Sequence, residues 1–161
     1  IMILGAGGAA KSIVTQAVLD GAKKVSIYVR PQSLVKAKEN FRTLLDQTDC
    51  YLEFHDLTDA DHFQKELRQT DLLVNATSVG MDGESLPISI DTSFPKELLV
   101  ADIIYQPFET PFLALARKQE IEAVNGLGML LYQAAGSFKL WTGENMPTGA
   151  IWQELENIYN S

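Results

Sequence analysis

Short apolar runs alternate with apolar positions at helical spacing along this chain, and the order of that alternation predicts the fold. Ile1-Met2-Ile3-Leu4 reads as a buried strand. Residues 11–19 read as a helix whose inward stripe is Ile13, Val14, Ala17 and Val18, ended by Asp20-Gly21. Residues 25–29 form a second strand, closed by Arg30-Pro31, because Pro31 cannot donate to a ladder yet suits the first turn of a helix. That helix runs through Val35, Ala37, Phe41, Leu44 and Leu45. Residues 51–54 give a short third strand, and residues 59–67 a short helix with Thr58 as its N-cap. Residues 72–76 make the fourth strand, which emerges at Asn75 into a long irregular segment. Residues 98–104 make the fifth, broken at Gln106-Pro107. A helix over 111–118 and a sixth strand over 121–124 follow. Gly126-Leu127-Gly128 then opens a long helix that ends at Trp141-Thr142-Gly143, and Pro147 opens a last helix bearing Ile151, Trp152, Leu155 and Ile158.

Six strands separated by helices or crossovers predict an α/β chain. It is a Rossmann-type, doubly wound, mainly parallel six-stranded sheet in the order 3-2-1-4-5-6, with helices on both faces. The 161 residues, 46% apolar, suit one domain spanning 1–161. Because the sequence starts inside the first strand, an upstream domain absent from this chain is expected. Ligands of such sheets bind beyond the carboxyl ends of the strands. The chemistry is therefore sought at Gly5 to Ala9, Arg30, Asn75 to Gly80, Tyr105 and Gly126.

Thirteen basic and 21 acidic residues leave a net charge of −8, which argues against nucleic acid or an anionic membrane as partner. The single Cys50 excludes an intramolecular disulfide and suits a reducing, cytoplasmic compartment. No apolar run reaches the roughly 18 residues of a membrane span. His55 and His62 have no metal partners at useful spacing, and no metal is expected.

Gly5-Ala6-Gly7-Gly8-Ala9-Ala10 sits between the first strand and the first helix. Bare amides at a helix N-terminus, which carries roughly +0.5 charge, suit a pyrophosphate. Gly5 permits the tight turn, Gly7 the approach of phosphate, and Ala10 the packing of helix on strand. An NAD-selective sheet usually ends its second strand in a carboxylate that takes the ribose hydroxyls. Here Arg30 stands instead, and a guanidinium suits a 2′-phosphate, so NADP is favoured. Gln32 and Ser33 serve ribose hydroxyls equally well, which leaves NAD open.

Asn75-Ala76-Thr77-Ser78 places small polar groups where the nicotinamide-side ribose and phosphate would lie. On the long helix, positions 127, 131, 134, 135, 138 and 141 form a core stripe. Positions 126, 129, 130, 133 and 137 form a second face, on which Met129 and Gln133 stand one turn apart beside two glycines that leave room for a flat ring.

Four ordered motifs together resemble the C-terminal, cofactor-binding domain of the shikimate/quinate dehydrogenase family. They are Gly-Ala-Gly-Gly-Ala at 5–9, Asn-Ala-Thr-Ser-Val-Gly-Met at 75–81, Asp-Ile-Ile-Tyr-Gln-Pro at 102–107 with Thr110-Pro111, and Gly-Leu-Gly-Met-Leu-Leu-Tyr-Gln-Ala-Ala at 126–135. The resemblance covers essentially the whole chain. It implies reversible, NADP-dependent hydride transfer between shikimate and 3-dehydroshikimate, on the route to chorismate and the aromatic amino acids. It implies that Gly5, Ala6, Gly7, Gly8 and Ala9 cradle the pyrophosphate, Arg30 meets the 2′-phosphate, and Thr77 and Ser78 line the groove. Ile103, Gly126 and Met129 would surround the nicotinamide, while Tyr105 and Gln133 would reach the substrate. The family's catalytic Lys and Asp belong to the N-terminal domain, so no catalytic residue is expected here and the isolated fragment should be inactive.

Asp102 is read as a locally paired strand-end carboxylate. Members that use NADP usually carry Asn-Arg-Thr or Asn-Arg-Arg where this chain has Val29-Arg30-Pro31, which weakens the NADP assignment. Alternatives are a quinate/shikimate dehydrogenase using both NAD and NADP, another two-domain reductase such as methylene-tetrahydrofolate dehydrogenase or glutamyl-tRNA reductase, and a non-catalytic nucleotide-sensing module. An apolar surface around Met129, Ile151, Trp152 and Leu155 is expected to be covered by the upstream domain or by a homodimer contact.

Overall fold

The computed structural model describes residues 1–159. Its strands are β1 (Met2–Leu4), β2 (Lys24–Val29), β3 (Tyr51–Asp56), β4 (Leu72–Asn75), β5 (Leu99–Asp102) and β6 (Ala123–Val124). Its helices are α1 (Gly8–Leu19), α2 (Leu34–Asn40), α3 (Arg42–Leu45), α4 (Ala60–Leu67), α5 (Pro111–Lys118), α6 (Leu127–Thr142) and α7 (Thr148–Tyr159). The strands form one sheet in the order β3-β2-β1-β4-β5-β6, with every pair parallel.

Parallel strands need crossovers, and the crossovers cover both faces, so the central strands are apolar on both sides. On β1, Met2 and Leu4 face one way and join Tyr28, Phe63, Leu67, Leu73, Phe112 and Leu113 beneath α4 and α5. Ile3 faces the other way and joins Val14, Ile27, Ala37, Phe41 and Val74 beneath α1 and α2. Ala10, fully buried in the second cluster, lets α1 approach the strands as expected.

Several boundaries differ from the sequence reading. Asp59, not Thr58, caps α4, its side chain accepting from the His62 amide at 3.0 Å. Thr58 instead donates both its amide and its hydroxyl to Asp56. The helix expected after Pro31 is a 3-10 turn (Pro31–Ser33) followed by α2 and α3, which part at the fully buried Phe41. The core stripe expected on α6 is buried only at Leu127 and Leu131, while Trp141 is 84% exposed.

Candidate active site

Strand register brings the site together. Leu4 pairs with Tyr28 on one side and Asn75 on the other, and Asn75 pairs with Asp102. The residues just beyond these ends therefore share one rim: Gly5, Arg30, Ala76 and Ile103. They border a cavity of about 1300 Å³. Ten sequence-predicted site residues line it: Gly5, Ala6, Gly7, Gly8, Ala9, Arg30, Thr77, Ser78, Ile103 and Tyr105.

The glycine turn begins at Gly5, whose φ of +99° is a left-handed conformation that side chains disfavour. A Cβ there would lie 2.8 Å from the Thr77 methyl and 3.0 Å from the Ala76 carbonyl oxygen, so the bare position also lets β1 and β4 converge. Gly7 and Gly8 have open space where side chains would stand. Gly7 is the N-cap of α1, no side chain caps the helix, and its first turn holds no acidic residue. By contrast α4 and α5 are capped by Asp59 and Thr110. The leading amides of α1 thus face the cavity unsatisfied by any side chain, as an anion site requires.

At the other end stand the exposed Arg30 and the exposed Lys36, third residue of α2, with Ser33 between them. Neither cation joins an ion pair among the described residues. The sequence reading missed Lys36 because the turn after Pro31 shifts the phase of the helix. Asn40 also lines the cavity, and its amide donates to the Ala6 carbonyl at 3.3 Å, tying α2 to the glycine turn.

Gly126, Met129 and Gln133 are not among the lining residues. A Cβ on Gly126 would sit 1.9 Å from the Ile103 carbonyl oxygen. The expected room for a ring beside this glycine is therefore absent: backbone fills it, and the bare position serves the docking of α6 on the end of β5. Gly128 likewise faces the Trp152 ring. Met129 and Gln133 are exposed on α6.

Asp102 is 2% exposed and accepts hydrogen bonds on both oxygens, so it is no proton-transfer group facing the cavity. His55 and His62 are not among the lining residues and pack against the Tyr28 ring. The His62 ring is 4.4 Å from that of His55, and its Nδ1 is 3.0 Å from the buried Tyr28 hydroxyl. Among the described residues no group of three or more His, Cys, Asp or Glu gathers as a metal site. No helix there is long and apolar enough to cross a membrane.

The all-parallel sheet, its strand order and the glycine turn leading into an uncapped helix define a Rossmann-type domain. Residues 126–156 match the family model for the shikimate 5'-dehydrogenase C-terminal domain. The chain is 99% identical over all 161 residues to the shikimate dehydrogenase (NADP(+)) of Streptococcus thermophilus, of which it spans 56%. It is 39% identical to the shikimate 5-dehydrogenase of Listeria monocytogenes solved with shikimate and NAD, with a TM-score of 0.86 over 96% of this chain and 54% of that one. It is 32% identical to the ligand-free 5-ketofructose reductase of a Gluconobacter species, with a TM-score of 0.78 over 98% of this chain and 55% of that one. The matched model and the 99% identical relative support membership of the shikimate dehydrogenase family. It spans about half the length of the curated relatives it matches.

Proposed function

We propose that this chain is the dinucleotide-binding domain of an NADP-dependent shikimate dehydrogenase, catalysing reversible hydride transfer between shikimate and 3-dehydroshikimate in the cytoplasm. The observation that carries the reading is the uncapped N-terminus of α1, which opens onto a cavity whose opposite wall bears two cations that join no ion pair among the described residues. The pyrophosphate would be held by the amides of Ala6, Gly7, Gly8 and Ala9, while Gly5, whose own amide donates to the Tyr28 carbonyl at 2.8 Å, shapes the cradle. Arg30 and Lys36 would meet the 2′-phosphate by charge-assisted hydrogen bonds. Lys36 supplies the second polar partner that Pro31 cannot.

Thr77, Ser78 and Ile103 would border the nicotinamide half. The bound nicotinamide supplies the hydride acceptor or donor, and the chain's own part is to orient it and exclude water. Tyr105, 40% exposed at the cavity edge, and Gln133 on α6 would reach a substrate seated against a second domain. Met129, and Gly126 through its fixed docking on Ile103, would support that side. The acid–base pair would belong to the second domain, which the roughly equal length missing relative to the family accommodates.

The exposed apolar residues of α6 support such a partner domain, or a homodimer contact on the same surface. The named relatives include one that acts on a ketosugar, which fits a domain that handles the cofactor while substrate selection rests elsewhere.

The test is calorimetric titration of the 161-residue chain with NADP⁺ and NAD⁺ in parallel, followed by an assay with shikimate. Binding with NADP⁺ preferred and no shikimate-dependent NADPH formation is the expected result. General acid–base catalysis, worth about 10²–10⁴-fold, would be absent. Heat from neither coenzyme would end the dehydrogenase reading, and turnover by the fragment would refute the division of labour.

A further inference from the structure

Asp102 is a carboxylate buried under the cavity rim with no cation in ion-pair reach among the described residues. Removing such a charge from water is costly, and an apolar residue would serve stability at least as well. Its ties run to three separate segments. Oδ1 accepts from the Ile104 amide at 3.0 Å and from the Asn75 side-chain amide at 3.1 Å. Oδ2 accepts from the Thr110 hydroxyl at 2.8 Å, and the same hydroxyl accepts from the Leu113 amide as the N-cap of α5.

Asn75, fully buried, carries the connection onward. Its Oδ1 accepts from the Thr77 amide at 3.2 Å and the Thr77 hydroxyl at 2.7 Å, while its Nδ2 also donates to the Val79 carbonyl at 3.0 Å. Thr77 Oγ1 then accepts from the Val79 amide. One carboxylate thus anchors both segments that border the same part of the cavity, residues 76–79 and residues 103–106. Burial raises its proton affinity, and the three donors oppose that rise.

We infer that Asp102, acting through Asn75 and Thr110, is a positioning residue for the nicotinamide half of the dinucleotide site. The inference rests on the reading of the cavity as that site. β1 and β4 separate β5 from β2, so Arg30 and Lys36 stand three strands away, roughly 14 Å at normal strand spacing. The strut therefore governs one half of the ligand and leaves the other half alone. That asymmetry separates positioning from general stability.

The experiment uses the full-length protein and its Asp102→Asn, Thr110→Val and Thr110→Ser variants, below the melting temperature of each. Each is titrated with NADP⁺ and with adenosine 2′,5′-bisphosphate, which carries only the adenosine half. Asp102→Asn and Thr110→Val should weaken NADP⁺ by about tenfold or more and leave the bisphosphate within about twofold. Thr110→Ser, which keeps the hydroxyl, should restore NADP⁺ binding. Unchanged NADP⁺ affinity in both weakening variants, or equal loss for both ligands, would overturn the inference. Should Asp102→Asn fail to fold, the two Thr110 variants decide alone. A wild-type protein that binds neither ligand would instead bring down the cofactor reading, and this inference with it.

Discussion

Gly126 shows how much a single missing side chain decides. A methyl group there would meet the Ile103 carbonyl oxygen at 1.9 Å, and that oxygen belongs to backbone that the sheet end holds in place. Gly126→Ala should therefore cost at least the roughly 1–3 kcal/mol typical of overpacking, read as a lower urea midpoint at unchanged m-value. An undisturbed midpoint would show that α6 is not pinned there. The sequence singles out this glycine for room beside a flat ring, whereas the structure puts the Ile103 backbone there, because nothing in its neighbours says which backbone will pass beside it. Arg30 was legible, since a strand followed by Pro fixes its place at a strand end. Lys36 was not, because its place depends on a 3-10 turn that periodicity does not register.

Elements add a second kind of information, namely which helix ends are capped and which are left open. Gly7 occupies the N-cap of α1 with φ −79°, which any residue adopts, and a Cβ there meets nothing within 4 Å. Gly7→Asp should fold normally and gain a few tenths of a kcal/mol from capping. It should also abolish NADP⁺ binding, because its carboxylate takes the anion's place. A variant of raised melting temperature that still bound NADP⁺ would contradict the phosphate site.

A pH effect belongs to the junction of β3 and α4. The buried His55 Nε2 has no hydrogen-bond partner among the described residues and lies 3.6 Å from the Glu53 carboxylate. Burial, then the neighbouring His62, pushes the His55 pKa below its ordinary value, against the pull of Glu53 and Glu66. The folded state therefore binds fewer protons than the unfolded state once pH drops below about 6.5, so stability falls as pH falls through that value. Lys24 holds Glu53 and Glu66 below their ordinary carboxylate value of 4.5, so the stability they contribute is lost chiefly at the acid end, below the span in which His55 acts. Melting temperatures from about pH 7 to 5 should decline, and His55→Gln should flatten the decline. An equal slope in the variant would place the effect elsewhere.

For the whole molecule, the informative surface is the distal part of α6, where Leu140 is 86% and Trp141 84% exposed. Apolar patches of this kind mark surfaces with a partner. The isolated 161-residue chain should self-associate in sedimentation experiments, and replacing Leu140 and Trp141 with Glu should return it to monomer. A wild-type chain that stays monomeric at high concentration would leave the proposed interdomain role of α6 without support.

What the sequence determined by itself was local: two periodicities, breakers at Asp20-Gly21, Arg30-Pro31 and Gly143, and a glycine turn between strand and helix. With the handedness of parallel crossovers, these sufficed for the strand order. What only the tertiary structure decided was non-local. It set which stripe of α6 is covered, that Asp102 binds residues up to 27 positions away, and that Lys36 joins Arg30 across a turn. Local pattern follows from steric and hydrophobic periodicity within one segment, whereas burial and hydrogen-bond partners depend on which other segments arrive beside it.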